Sequence, residues 1–190
     1  SLHDALPIYG EGPSITNFYS GNIIIPSDIE ILIDGGDDYY DDDYYDDDHY
    51  EHFLVTGIDY YAFSGCPNLT SVTIPNSIYN IGPFAFADCT GLTSITIPNS
   101  VFGIGDCAFN GCTRLTSVIC EMENPIVLGD NAGYTCSDVF GNISPSCVLF
   151  VPAGTRDAYI AAGWTEEVFQ GGIVEFINFA DRTVESLCVN

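Results

Sequence analysis

The chain has 190 residues and is 46% hydrophobic, which is enough to build one packed core. Its formal net charge is -24, with 27 acidic residues against three Arg and no Lys. Nucleic acid and anionic lipid are bound through basic surfaces, so this charge argues against both as partners. No apolar run approaches the length of a membrane span, so membrane insertion is not expected.

Residues 1–19 are predicted to be a non-native or disordered N-terminal segment. Ser1–Ile8 has neither the basic region nor the long apolar stretch of a signal peptide, and it resembles a translated sequencing adapter. We exclude this segment from the fold prediction. Residues 20–176 are predicted to form a single folded domain.

The domain begins with a degenerate structural unit, which we call the first coil. Ile23–Pro26 matches the phrase Val72–Pro75 further along the chain, so residues 21–29 are predicted to repeat part of a later strand. An insertion over residues 30–54 separates this coil from the next. Its two apolar flanks, Glu30–Ile33 and Phe53–Val55, are predicted to pair as a projecting hairpin.

The insertion carries an acidic, tyrosine-rich tip. Between Asp34 and His52 it holds ten carboxylates, two His and five Tyr. Like charges repel, so the block is predicted to be a solvated, extended and solubilising loop. The alternatives are a calcium-responsive tip, since oxygen ligands suit calcium, and a patch for a basic partner. The spacing does not match an EF-hand loop. The candidate residues at this tip are Asp41, Asp42, Asp43, Tyr44, Tyr45, Asp46, Asp47 and Asp48.

Three units of 23 residues follow the insertion. Ile58, Ile81 and Ile104 each open a unit that reads I-x-x-x-A-F-x-x-C-x-x-L-T-S-[VI]. A period of this length is typical of a stacked solenoid, in which each unit buries its apolar face against its neighbours. Each unit is predicted to contain a strand, a turn, a short strand and a tight helical turn at Ala-Phe-x-x-Cys. The repeated Ala, Phe, Cys and Leu are therefore predicted to be scaffold.

The regular cysteines are predicted to be free. Cys66, Cys89 and Cys112 fall at the same point of successive coils, about 4.8 Å apart, whereas bridged Cβ atoms lie about 3.8 Å apart. A ladder of buried thiols is therefore favoured over disulfides. Pairing among the irregular cysteines stays open; these are Cys107, Cys120, Cys136, Cys147 and Cys188.

The outward side of the strands is the candidate ligand-binding face. Leu69, Val72 and Ile74 are predicted to point inward, which leaves hydroxyl side chains outside. The row is small and hydroxylated, and it shows no aromatic or Arg anchor of the kind that dominates binding hot spots. A surface filled with residues of high strand propensity is the alternative explanation. The predicted face consists of Ser71, Thr73, Ser94, Thr96, Ser117 and Ile119.

The period continues weakly after the third unit. Phe140 precedes Pro152 by the interval that separates Phe63 from Pro75, so residues 128–152 are predicted to be a fourth regular coil. This coil carries extra sequence around Asn131–Ser137.

Residues 153–170 are predicted to be a C-terminal cap. Thr155 is placed to N-cap a helix over Arg156–Ala162 that Gly163 ends. Trp164 and Phe169 then cover the open apolar end of the last coil. Residues 177–190 are predicted to be the truncated start of a following module.

The phrases C-x-x-L-T-S-[VI]-T-I-P-N-S and I-G-x-x-A-F resemble the BspA-like leucine-rich repeats of bacterial surface proteins. Gly21–Pro26 looks like the opening segment of that family and Val151–Trp164 like its closing cap. Ile177–Asn190 looks like the lead-in to a calcium-binding module of EF-hand type. The long acidic insertion and the extra sequence with Tyr134 and Cys136 depart from the family pattern.

The resemblance implies a repeat solenoid of leucine-rich-repeat type. We expect parallel strands, short helical turns, about five coils of 23-residue period and a C-terminal helical cap. It also implies an extracellular or cell-surface location and a protein or host-surface ligand.

The predicted function is a non-enzymatic protein-binding or adhesion module, monomeric within a longer chain and without a cofactor. The three His lie at or before residue 52, away from the cysteine ladder, so no Cys–His catalytic pair is indicated. His49 and His52 lack a nucleophile partner and do not make a preorganised site. One alternative is a structural spacer that presents a neighbouring domain. The other is a calcium-responsive module in which the acidic insertion binds the ion weakly.

Overall fold

Strands dominate the described part of the chain. The computed structural model describes residues 19–33, 49–128 and 138–176, and these ranges contain eleven strands and one helix. The helix, α1, spans Arg156–Ala161. The strands are β1 (Gly21–Ile24), β2 (Asp28–Ile33), β3 (His49–Leu54), β4 (Gly57–Ile58), β5 (Leu69–Thr73), β6 (Asn80–Ile81), β7 (Ser94–Ile97), β8 (Gly103–Ile104), β9 (Ser117–Cys120), β10 (Val148–Pro152) and β11 (Ile173–Phe176).

Six strands form one parallel sheet in the order β1-β5-β7-β9-β10-β11. Ser71 of β5 pairs with Ser94 of β7, which pairs with Ser117 of β9. Each of these pairings joins residues 23 positions apart in the sequence, so equivalent strands of successive repeats lie side by side. The predicted parallel strands are confirmed, and β1 joins them as the opening strand.

Two smaller sheets complete the strand pairing. Strands β4, β6 and β8 form a parallel sheet in which Ile58 pairs with Ile81 and Ile81 with Ile104. Strands β2 and β3 pair antiparallel, with Glu30 opposite His52. The predicted hairpin at the flanks of the insertion is therefore confirmed.

A stack of phenylalanine rings runs through the centre of the coils. Phe63, Phe86, Phe109 and Phe140 are buried and lie one above the other. Successive ring centroids are 5.1, 5.3 and 5.2 Å apart, with interplanar angles of 2°, 5° and 5°. The rings repeat at nearly the spacing of hydrogen-bonded strands, about 4.8 Å. The core and the sheet therefore extend together from coil to coil.

The predicted helical turn at Ala-Phe-x-x-Cys is wrong: the segment is a series of hydrogen-bonded turns. In the first unit, Ala62 N–H donates to Asp59 O within its own coil at 3.2 Å. The next amide, that of Phe63, donates to Ala85 O of the following coil at 2.7 Å. Alternate amides thus bond between coils, which a helix does not allow. Tyr61 has a φ of 58°, outside the right-handed helical region.

The chain after β10 packs against the last ring of the stack. Trp164 and Phe169 are buried, and their centroids lie 5.5 and 5.2 Å from that of Phe140. Trp164 Nε1–H donates to Ile126 O at 2.8 Å, and the Tyr159 hydroxyl donates to Met122 O at 2.8 Å.

The predicted helix is present: α1 follows Thr155 at the N-cap position and ends at Ala161, one residue before the predicted end. Gly163, predicted to end the helix, has a φ of +91°, the left-handed backbone of a helix-ending glycine. The predicted side-chain cap is wrong. The Thr155 side chain does not cap the helix; its hydroxyl donates to Pro152 O at 2.6 Å. Strand β11 then adds to the sheet beyond β10, although its sequence carries no repeat phrase.

Replacing Phe86 by Ala is expected to lower the free energy of unfolding by about 3–5 kcal/mol, because the ring is fully buried and stacked on both sides. Phe102→Ala is the matched control, since Phe102 is 71% exposed, and it should cost less than about 1 kcal/mol. Urea denaturation followed by circular dichroism measures both. Equal losses for the two variants would show that the stack is not the main source of stability.

Candidate functional site

The outward face of the six-stranded sheet gathers the predicted binding residues into two rows. Ser71, Ser94 and Ser117 lie side by side on β5, β7 and β9. In the second row Thr96 pairs with Ile119, and Thr73 pairs with Ile24 of β1. Parallel pairing in register brings these side chains to one surface. Their role in binding stays a prediction.

Strand β1 extends the face with a residue that the sequence did not indicate. Asn22 lies next to Ser71 in the sheet, and its Oδ1 accepts hydrogen bonds from Ser71 Oγ at 2.7 Å and Thr70 Oγ1 at 3.1 Å. Ile24, two residues on, is 76% exposed. The repeat phrase gave no signal for Asn22, because the first coil matches it only over Ile23–Pro26.

The C-terminal end of the face is apolar and aromatic. Phe150 of β10 pairs with Ile119, and Val174 of β11 pairs with Phe150. A surface groove of about 350 Å³ opens here, lined by Ser117, Ile119, Phe150 and Phe176. The six predicted residues include no aromatic side chain, but the neighbouring strand β10 adds Phe150 to the same face. The alternation of inward and outward residues along β10 could have indicated Phe150. Its neighbours Leu149 and Val151 are buried, so Phe150 between them points outward.

Some exposed hydroxyls on the coils serve the scaffold. Thr116 Oγ1 donates to Thr93 O at 3.2 Å, and Thr93 Oγ1 donates to Thr70 O at 3.4 Å. These bonds join neighbouring coils at the 23-residue interval. These threonines, each of which precedes a predicted binding serine by one residue, thus stabilise the stack of coils.

The acidic tip, Asp41–Asp48, lies outside the described residues, and its calcium role stays a prediction. On the described hairpin, His52 Nε2 is 3.5 Å from Glu30 Oε1, and Nδ1 is 3.9 Å from Asp28 Oδ2. Within residues 19–33, 49–128 and 138–176, no group of three or more His, Cys, Asp or Glu could hold a metal ion.

The cysteine ladder is buried and free, as predicted. Cys89 Sγ donates to Phe63 O at 3.0 Å, and Cys112 Sγ donates to Phe86 O at 3.2 Å. Burial raises the pKa of Cys89 to about 12 and that of Cys112 further. A thiol is nucleophilic as the thiolate, so these thiols are unreactive at neutral pH.

The irregular cysteines divide into two kinds. Cys120 and Cys147 are free and buried, and burial raises the pKa of Cys147 to about 11. Cys107 is disulfide-bonded. Cys136 and Cys188 lie outside the described residues.

Asp106 is buried, and neither of its side-chain oxygens has a hydrogen-bond partner among the residues that the structure describes. It occupies the position of Tyr60 and Pro83 in the two preceding units. Burying a carboxyl group without a partner is costly, because the group must either lose its hydration as an anion or take up a proton. Asp106 is therefore a local source of instability in the third coil.

The parallel sheets with a single short helix in the described ranges are typical of the leucine-rich repeat fold. Residues 55–146 match the family model described as BspA type Leucine rich repeat region, in six copies. These residues are a BspA-type leucine-rich repeat region, and the resemblance predicted from the repeat phrases is confirmed.

Two solved structures are similar to the chain. A leucine-rich repeat protein from T. pallidum is 26% identical over 57% of this chain and 56% of its own length, with a TM-score of 0.39. A leucine rich cell surface protein from Faecalibacterium prausnitzii A2-165 is 22% identical over 68% of this chain and 38% of its own length, with a TM-score of 0.39. The chain spans little more than half of the first protein and less than half of the second.

No curated protein matches the chain. In the described ranges, no helix is both long and apolar enough to cross a membrane.

Alkaline pH is expected to destabilise the fold through the buried thiols. Burial raises the pKa of Cys89 from 9.0 to about 12, so the folded chain keeps a proton that the unfolded chain loses. The resulting stability is complete below pH 9 and falls as the pH rises towards 12, by up to about 1.4 kcal/mol per pH unit.

Melting temperatures between pH 8 and 11 measure this effect. Cys89→Ala should reduce the slope by the contribution of one thiol, because Cys112 and Cys147 keep their raised pKa values. Leu92→Ala, a buried control without a titrating group, should keep the wild-type slope. Identical slopes for all three proteins would contradict the assignment to Cys89.

Asp106→Asn is expected to raise the free energy of unfolding by about 1 kcal/mol, because an amide keeps the side-chain shape and needs neither a buried charge nor proton uptake. Glu123→Gln removes an exposed charge and should change it by less than about 0.5 kcal/mol. Thermal melting at pH 7 measures both. A lower melting temperature for Asp106→Asn would show that the carboxylate has a stabilising partner.

Proposed function

We propose that the chain is a non-enzymatic protein-binding module that recognises its ligand through the outward face of the six-stranded sheet. The observation that carries the proposal is the groove between Ile119, Phe150 and Phe176 at the end of the serine row. Binding hot spots combine a desolvated aromatic centre with a polar surround. The groove supplies the aromatic centre, and the hydroxyl rows supply the surround.

The proposal includes the finer architecture. About five coils of 23-residue period are stacked, and residues 153–170 cap the last of them. The 23-residue offsets along β5, β7 and β9 support the period. Burial of Trp164 and Phe169 against Phe140 supports the cap, because a terminal repeat otherwise exposes its core.

The absence of catalysis is part of the same proposal. The repeated thiols are buried, and burial raises their pKa values, so they are unsuited to nucleophilic attack. The outward face offers hydroxyl and apolar side chains, which suit recognition better than acid–base chemistry.

An extracellular or cell-surface location and adhesion as the purpose of binding are further parts of the proposal. They rest on the BspA-type repeats and on the surface display that this resemblance implies. The chief alternative is a structural spacer with no ligand of its own. The binding module and the spacer differ in whether the outward face binds specific ligands.

A phage-displayed peptide library selected on the immobilised chain tests the proposal. Binders from the selection should lose at least about tenfold in affinity for Phe150→Thr, because the change removes the aromatic centre and keeps a strand-favouring residue. They should keep their affinity for Leu54→Thr, which removes an apolar side chain that is 69% exposed on the hairpin.

Circular dichroism would verify that both variants are folded. Equal affinity for Phe150→Thr, and for a triple Ser71, Ser94 and Ser117 to Ala variant, would reject the outward face and favour the spacer.

A further inference from the structure

A second surface of the coils exposes paired aromatic rings. Tyr79 and Phe102 come directly before the short strands β6 and β8 and are 45% and 71% exposed. Their centroids are 5.8 Å apart, with an interplanar angle of 23°. The two residues are one 23-residue period apart, so they occupy equivalent positions on neighbouring coils. Exposed apolar surface shared by adjacent residues is typical of an interaction site.

A second group of rings lies beyond the other end of the short strands. Tyr61 stacks on Phe84 with centroids 4.8 Å apart and planes at 15°, and Tyr60 lies edge-on to Tyr61 at 4.2 Å. The two tyrosines are about half exposed. Tyr61 N–H donates to Pro83 O at 3.1 Å, which anchors the backbone beneath these rings in the next coil.

Polar groups lie next to both sets of rings. Asp59 precedes Tyr60, and Asn80 follows Tyr79. Both line a surface cavity of about 280 Å³ together with Gly57 and Ile58. The Asp59 carboxylate is exposed, and its Oδ1 accepts the Tyr60 N–H at 2.7 Å.

The two sets of rings are within reach of one short peptide. Residues 79 and 84 are five apart, so their backbones are at most about 17 Å from each other. An extended segment of about five residues spans that distance.

The negative charge of the surrounding chain favours a cationic ligand. The described residues include 13 Asp and Glu against two Arg, Arg114 and Arg156. Arg156 is already bonded to Glu166 at 2.7 Å. A potential of this sign attracts cations and repels acidic ligands. Cations are also attracted to the faces of aromatic rings, and a guanidinium stacks on a ring while it bonds a carboxylate.

We propose that Tyr60, Tyr61, Tyr79 and Phe102, with Asp59, form an aromatic face that binds an extended, arginine-containing peptide segment. One guanidinium stacks on each set of rings, and Asp59 bonds the nearer of the two. A neutral glycan would also stack on the rings but would gain nothing from the charge. The aromatic face is separate from the outward face of the six-stranded sheet, so this proposal goes beyond the proposed function and does not depend on it.

The test uses a fluorescein-labelled pentapeptide with arginine at both ends and Gly-Ser-Gly between them. Tyr61→Asn and Phe102→Ser each remove a ring without changing the charge, and Asn tolerates the left-handed backbone at position 61. Each change should weaken binding roughly threefold, and the two together about tenfold. Leu54→Ser, a matched loss of exposed apolar surface on the hairpin, should leave binding unchanged. Fluorescence anisotropy of the full chain at 50 and 300 mM salt measures the wild type and all of the variants.

Two results would overturn the proposal. Equal binding by the wild type and the ring variants, abolished by salt in both, would show diffuse attraction to a negative chain. Ring-dependent binding of maltohexaose without binding of the peptide would assign the aromatic face to neutral glycans. Phe150→Thr should bind the peptide like the wild type. This control separates peptide binding by the aromatic face from ligand binding by the outward face, so that either proposal can fail without the other.

Discussion

Phe63, Phe86, Phe109 and Phe140 stack face to face through the coils, and the rest of the structure depends on this contact between one coil and the next. The ring spacings of 5.1, 5.3 and 5.2 Å are close to the spacing of hydrogen-bonded strands, about 4.8 Å. Each coil can therefore satisfy the core and the backbone of its neighbour at the same time. A coil by itself would expose its apolar face, which is why the repeat has meaning only in a stack.

Stacking in register also decides what the surface can do. Residues one period apart become neighbours, so a single strand position becomes a row of side chains across the sheet. The outward face is hydroxylated on β5 and β7 and becomes apolar from Ile119 of β9 onward to β10 and β11. The same register traps the thiols of Cys89 and Cys112 beneath the backbone of the preceding coil, where they serve packing.

The departures from the repeat were the hardest features to predict. The phrase that recurs at Ile58, Ile81 and Ile104 was sufficient for the parallel strands, the inward residues and the thiol ladder. It was insufficient to predict the turns. Their amides bond alternately to an acceptor in the same coil and to one in the next coil, and the phrase does not indicate which. Phe150 and Asn22 were missed because their strands match the phrase poorly, and β11 was missed because it does not match at all.

The sequence by itself determined the recurrence of one phrase at Ile58, Ile81 and Ile104, the identity of the buried residues and the predominance of acidic charge, since each of these is a property of residue order or composition. The tertiary structure alone decided which outward residues share a surface. Phe150, Ile119 and Val174 are far apart in the chain and meet only through strand pairing. The two faces that we propose as binding surfaces exist because parallel stacking converts a sequence interval into a distance of about 5 Å.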